Sequence, residues 1–322
     1  MRVGVDVSPL VQTRAGTARH VRGLVGALRE RAGLDLELLS FGGPGRAASV
    51  ARDALWYPLG LSRRARGLDL LHCTTFRGPA RAEPPVVLTV HDLAILRFPK
   101  AFPRWHRQYG RAGLRKVLHA ASAVVAVSEF TRGEVVELVG IDAERVRVVP
   151  NGVDAAFTPD GPPAEGDYVL AVATLEPRKN LARAVEAATL AGVELRVVGA
   201  RGWGGVEVPG WVGEVPDAEL AALYRGARCV LYPSVYEGFG LPVLEAMACG
   251  TPVVTSSGTA MEEVAGGAAL LADPASADAL AAGIAEAEGR RDELVALGLA
   301  RAARFTWAAS ADAVEALWKE LG

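Results

Sequence analysis

Cysteine is scarce in this sequence: Cys73, Cys229 and Cys249 are the only three in 322 residues. They are odd in number and widely spaced, which excludes a disulfide framework or a zinc site and fits a reducing compartment. No uninterrupted apolar run reaches the ~18 residues of a membrane-spanning helix. The opening MRVGVDVSPL alternates like a strand and meets Asp6 before any long apolar stretch, so a signal peptide is not expected. Aromatic residues are only 6%, yet half the chain is hydrophobic and 22% is charged, a globular composition that argues against disorder. There is no HExxH, CxxC pair or Asp-x-Asp, so no metal is expected. There is no GxSxG elbow to support a hydrolase and no GxxxxGK[ST] loop. Gly238-Phe239-Gly240 and Val198–Gly202 both miss the dinucleotide spacing GxGxxG.

The net charge of −2 covers an asymmetry. Residues 1–160 hold 23 Lys and Arg against 15 Asp and Glu, a balance of +8, and residues 161–322 hold 12 against 22, a balance of −10. A basic half joined to an acidic half points to two different jobs.

Short apolar runs alternate with helical patterns along the whole chain. Arg2–Val7, Leu68–Cys73, Val86–Val90, Ala123–Val127 and Val146–Val149 read as strands. Thr17–Arg31 reads as a helix with Thr17 as its cap, and Glu129–Val139 as one following Ser128. Phe157–Asp167, with three prolines and two glycines, has no periodicity and reads as an interdomain linker. The alternation then restarts at Tyr168–Ala173 and runs to a last amphipathic helix, Trp307–Leu321. The expected class is α/β, with parallel sheets covered by helices on both faces. The expected domains are 1–158, with 307–322 packing back on it, and 166–305. In such folds ligands bind outside the carboxyl ends of strands, so the expected site is a cleft lined by those ends.

The richest segment is Tyr232–Val254, YPSVYEGFGLPVLEAMACGTPVV. A strand ends at Tyr232, a loop follows with Glu237, Gly238, Phe239 and Gly240, and Leu241-Pro242 opens a helix that carries Glu245 in its first turn. Glycines let backbone approach a ligand, and helix-start amides point at an anion such as phosphate. Glu245 is then placed to accept two ribose hydroxyls and Glu237 to touch another hydroxylated group. The plainer alternative is that Glu245 only complements the helix dipole and Glu237 is solvated. In Thr174–Asn180, TLEPRKN, Arg178 and Lys179 at a strand-to-helix turn suit a diphosphate, or form a solvated turn. Val90-His91-Asp92 ends a strand in the first half, where His91 can face a ligand or be a satisfied structural histidine. Gly16, between the first strand and its helix, can admit backbone to the same ligand, or make a plain turn. Arg97–Lys116 holds seven Lys and Arg, no acid, and Phe98, Phe102, Trp105 and Tyr109. That mixture suits an anionic membrane surface or a solvated basic helix; nucleic acid is disfavoured by the slightly negative net charge.

With these residues in view, the chain resembles glycosyltransferases of the GT-B fold, in the large retaining group called family 4. The resemblance covers essentially the whole chain. It rests on the E-x7-E motif from Glu237 to Glu245, on ATLEPRKN, VSEFTRGEV (Val127–Val135), VPNGVD (Val149–Asp154) and HDLAILRFP (His91–Pro99). It implies two Rossmann-like domains facing a cleft, no metal, no cofactor, and a GDP- or UDP-sugar as donor. It further implies that Lys179 binds the donor diphosphate, Glu245 the ribose hydroxyls and Glu237 the sugar hydroxyls. Amides around Gly240 and Leu241 would meet phosphate or sugar, Gly16 would approach the donor, and His91 would sit beside the transferred sugar. The base would lie near Trp211–Val215, including Val212. Transfer would retain anomeric configuration by front-face attack. Many relatives carry an Arg about five residues before the Lys, where this chain has Thr174; Arg178 is the available substitute, although its side chain can point away from its neighbour's. The EPRKN text resembles mannosyltransferases, which puts GDP-mannose first and a UDP-sugar second. The expected acceptor is a saccharide, lipid-linked or small-molecule hydroxyl, and the expected location is the cytoplasm, with peripheral contact at the inner membrane face through 97–116. The competing readings are a nicotinamide-dependent oxidoreductase or epimerase, and a non-catalytic sugar-nucleotide-binding relative.

Overall fold

The computed structural model describes residues 1–12, 16–43, 45–99, 113–202 and 204–322. The chain divides into two compact units, Met1–Gly152 with Trp307–Gly322, and Val153–Thr306. Each holds one six-stranded parallel sheet, and the fold is GT-B, built from two Rossmann-like units.

The first sheet comprises β1 (Arg2–Asp6), β2 (Asp35–Leu39), β3 (Leu70–Cys73), β4 (Val86–Val90), β5 (Ala123–Ala126) and β6 (Val146–Val148), in the order β2-β1-β3-β4-β5-β6. β3, β4 and β5 are buried at every position, which is why they read as unbroken apolar runs. The Gly16–Arg29 helix buries Val21, Leu24, Val25 and Leu28. Trp307–Leu321 buries Ala311, Val314, Leu317 and Trp318 in the same core. The two helices touch through Gly23: a Cβ there would fall 2.0 Å from the Trp307 ring, so a side chain at Gly23 would force them apart.

The second sheet comprises β7 (Tyr168–Val172), β8 (Glu194–Val198), β9 (Trp211–Gly213), β10 (Val230–Tyr232), β11 (Val253–Ser256) and β12 (Leu270–Ala272), in the order β12-β11-β10-β7-β8-β9. Strand order reverses at β7: the chain builds β8 and β9 on one side, then crosses to lay β10 on the other. The first sheet reverses likewise at β1. Ligands of open parallel sheets bind outside the strand ends at such a point.

Two expectations need correction. The first helix starts at Gly16, so Thr17 lies inside it and is not its cap. Phe157–Asp167 is no linker. The units part between Gly152 and Val153, and Arg225 pins the proline-rich stretch to the second unit through Nη1 on Thr158 O at 3.2 Å and Nη2 on Pro162 O at 3.1 Å. Much of Arg97–Lys116 lies outside the described residues. Of its described cations, Arg97 is bound by Glu134 at 2.7 Å and Glu137 at 3.1 Å, and Arg115 donates to Leu138 O at 2.8 Å.

Candidate functional site

β7 and β10 pair side by side at the reversal, so the loops that leave their carboxyl ends are neighbours. The β7 loop enters a short 3-10 turn, Pro177–Lys179, and leaves it through Asn180, whose φ of 57° is the only left-handed one outside glycine among the described residues. Asn180 holds this strained backbone by donating from Nδ2 to Pro233 O at 3.1 Å and Pro274 O at 2.7 Å. The first of these bonds ties the β7 loop directly to the β10 loop, as does Val235 N on Arg178 O at 2.9 Å.

That lacing brings Lys179 and Glu237 together. Lys179 Nζ donates to Glu237 Oε1 at 2.5 Å and to the Tyr232 hydroxyl at 3.1 Å, and the same hydroxyl donates to Glu237 Oε1 at 3.0 Å. Arg178 points to the same carboxylate, with Nη1 on Glu237 Oε2 at 2.9 Å, and its Nε reaches Glu176 at 2.8 Å. The concern that adjacent side chains diverge is thus answered: the tight turn leaves both cations on one carboxylate. Lys179 and Glu237 are both buried. Burial works against the charge on Glu237, but Lys179 and Arg178 outweigh it and hold the carboxyl down to about 2. Burial likewise lowers Lys179, seconded by Arg178 and opposed by Glu237. Two cations and two acids, Glu176 and Glu237, therefore form a balanced network with its positive groups at the strand ends.

The helix after β10 is Leu241–Ala248, with Gly240 as its cap at φ 109° and Pro242 in its first turn. A side chain at Gly240 is doubly excluded, by that φ and by Met261 Cγ lying 2.9 Å from a Cβ built there. Pro242 has no N–H and Val243 N is used on Gly240 O at 3.0 Å. The amides of Gly240 and Leu241 make no hydrogen bond among the described residues and are left for an anion. Glu245 is not in the first turn, which holds no acid, so complementing the helix dipole does not explain it. It is buried one position further in, where its Oε2 accepts from the Tyr224 hydroxyl at 2.9 Å. Val212 stands on edge strand β9 with 53% of its surface exposed, beside Trp211, whose indole donates to Gly199 O at 2.9 Å.

In the first unit the reversal gathers a second set of groups. Thr74 Oγ1 donates to Asp6 O at 2.7 Å, which ties the ends of β3 and β1, and His91 Nε2 lies 2.9 Å from Thr74 O. A carbonyl only accepts, so this nitrogen of His91 carries the proton. The His20 ring meets His91 edge-on with centroids 4.6 Å apart, and His20 Nδ1 is 2.7 Å from Asn151 Oδ1. Burial keeps His20 and His91 below the ordinary histidine value, and brings His72 down to about 3. Asp6, also buried, is pushed up to about 6, with its bonds from Ser8 and Trp56 opposing the rise. Gly16 begins the helix that carries His20; Arg14 and Ala15 beside it lie outside the described residues.

Sequence reasoning singled out Arg178, Lys179, Glu237 and Glu245 but missed Tyr232 and Tyr224, which orient the two glutamates. Tyr232 was legible, being the last residue of a strand. Asp6, Thr74 and Asn151 sit beside strand ends by the same rule that selected His91.

Residues 154–298 match the family model described as glycosyl transferases group 1, and residues 14–157 match that of glycosyltransferase family 4. The O-antigen chain mannosyltransferase B of Escherichia coli is 32% identical over 335 residues, which cover 94% of this chain and 84% of that protein. Among solved structures, the sucrose-phosphate synthase of Thermosynechococcus elongatus superimposes with a TM-score of 0.77 at 21% identity, covering 99% of this chain and 98% of that one. The Anabaena HepE structure in complex with UDP and glucose does so with a TM-score of 0.74 at 19% identity, covering both chains fully at 100%.

Proposed function

Since this chain belongs to the glycosyl transferases of group 1, we propose that it moves a hexose from a nucleotide-diphosphate sugar to an acceptor hydroxyl with retention of configuration and without a metal. GDP-mannose is the first donor to test, favoured by the likeness to a mannosyltransferase, and a UDP-sugar the second, favoured by the UDP-bound fold relative. The acceptor is a saccharide, free or lipid-linked, or a small molecule.

One observation carries this reading. A buried ammonium, bonded to an ionised carboxylate at 2.5 Å, stands at the reversal of the second sheet, next to a helix start with open amides. In glycosyl transfer the leaving diphosphate gains negative charge as the sugar becomes oxocarbenium-like. Fixed cations and amides that are already aimed at that charge lower the barrier without reorganising. An arriving diphosphate competes with Glu237 for Lys179. Glu237, displaced from part of its network, is then available to sugar hydroxyls. We assign the ribose to Glu245, the base to the stretch around Val212, phosphate or sugar contact to Gly238, Phe239, Gly240 and Leu241, and donor approach to Gly16. His91 we assign to the transferred sugar, where its protonation at Nε2 leaves Nδ1 as an acceptor for a hydroxyl. Arg178 is the second diphosphate cation in place of the Arg that Thr174 replaces. Peripheral membrane contact through 97–116 belongs to the same proposal.

A thermal-shift panel of GDP- and UDP-sugars tests the donor assignment, because a ligand at a hundred times its Kd stabilises by about 2.7 kcal/mol. No response to any nucleotide sugar would end it. NMR of the product anomeric centre tests retention; an inverted linkage would end that part alone.

A further inference from the structure

The helical stretch Arg46–Arg64 carries apolar side chains on its outward face as well as its buried one. It runs as a helix over Arg46–Ala51, a π-helix over Arg52–Gly60 and a last helical turn over Leu61–Arg64. The wide middle turns accommodate Pro58, which has no N–H to give. A surface helix normally buries apolar residues and shows polar ones. Here the buried side holds Arg52, whose Nη1 donates to Phe41 O at 3.0 Å and Gly43 O at 3.3 Å, together with Tyr57 and Leu61. The outward side, at helical spacing, is Ala47, Val50, Ala54, Leu55, Pro58 and Leu59. Val50 is 50% exposed, Leu55 58% and Leu59 48%. No exposed residue from Ala47 to Gly60 is charged; the acid of this stretch, Asp53, is half-buried and paired with Arg77 at 3.3 Å. Phe41 stacks on Trp56 with centroids 5.4 Å apart and carries the exposed apolar surface beyond the helix.

The charge sits at one end. Arg63 and Arg66 are exposed and make no ion pair among the described residues, while Arg64 is held by Glu37 at 3.3 Å. Whatever covers this face must accept leucine side chains along its length and supply negative charge at its carboxyl end. A second copy of the chain would bring the same leucines but the same arginines, with no acid on the face to meet them. A bilayer with anionic headgroups meets both demands: the stripe lies at the acyl boundary and the guanidinium groups reach the phosphates.

We propose that the Ala47–Leu59 face, with Arg63 and Arg66 at its end, is a docking surface for an anionic lipid bilayer. This surface is distinct from 97–116 and does not depend on the donor assignment.

The test is co-sedimentation of the full chain with vesicles of phosphatidylcholine alone and with about 30% phosphatidylglycerol added. Binding is expected to the anionic vesicles and to weaken with salt. The double substitution Leu55→Glu/Leu59→Glu is expected to lower the partition coefficient ~10-fold or more, and Arg63→Glu/Arg66→Glu to abolish the preference for anionic lipid. Both variants are expected to keep a cooperative thermal melt. Sedimentation velocity of the same proteins separates the alternative occupant. The proposal is overturned if the wild type does not bind, if it binds both vesicles alike, or if Leu55→Glu/Leu59→Glu partitions as the wild type does. It is also overturned if the leucine substitutions only dissolve a dimer.

Discussion

Replacing Glu237 by glutamine would separate the two jobs that its carboxylate holds in the free enzyme and in the donor complex. The side chain keeps its shape but loses the charge that balances Lys179 at 2.5 Å and Arg178 at 2.9 Å. Its carboxyl is lowered from 4.5 to about 2, and at roughly 1.4 kcal/mol per pH unit this is worth about 3 kcal/mol of folding stability. The direction follows from linkage: with the folded value below the unfolded one, the contribution is full above about pH 4.5 and disappears as pH falls toward 2. Removing one partner of a buried pair costs about 3–5 kcal/mol by an independent route, because the other charge is stranded. Urea denaturation at pH 7 should therefore find Glu237→Gln less stable by about 3 kcal/mol, and at pH 2.5 the gap should have largely closed. Stranded cations are also better placed for an anion, so nucleoside diphosphate is expected to stabilise the variant more than the wild type, while sugar transfer falls. Equal stability at pH 7, or a gap that does not shrink in acid, would refute the account of this network.

Lys179→Ala should lower kcat/KM by about 3 kcal/mol, roughly a hundredfold, in a radiochemical or coupled transfer assay; near-normal activity would remove the diphosphate role. Tyr224→Phe deletes the hydroxyl that donates to Glu245 at 2.9 Å. It should raise donor KM with little change in kcat, by about 1 kcal/mol, and unchanged KM would detach Glu245 from the donor. Gly240→Ala forces a side chain at φ 109° and against Met261. It should cost at least ~1–2 kcal/mol of stability by chemical denaturation and weaken donor binding with it.

Much of this was readable in the chain. β3, β4 and β5 are buried on both sides, and such strands announce themselves as apolar runs without any partner in view. The Trp307–Leu321 helix was legible for the same kind of reason, since Ala311, Val314, Leu317 and Trp318 repeat at helical spacing. What escaped depended on contacts across the sequence. β2 escaped because Asp35–Leu39 is an edge strand with two acids and only Leu39 buried. The Arg46–Arg64 stretch escaped because Pro58 and the π turns break the helical period. Phe157–Asp167 has the composition of a linker, but no local pattern reveals that Arg225, some sixty residues on, donates to it. In the site, motif spacing found Lys179 and Glu237, and only the fold could show that Arg178 shares their carboxylate. Tyr224 was hidden for the same reason, being twenty-one positions from Glu245 in sequence and 2.9 Å away in space.

The most direct measurement is a crystal structure of the chain with an intact nucleotide sugar, read for the position of the diphosphate. It should lie within ~3 Å of Lys179 Nζ and of the amides at Gly240 and Leu241, an ordinary charge-assisted hydrogen-bond distance. A nucleotide seated elsewhere, with Lys179 still bound to Glu237 alone, would contradict the account.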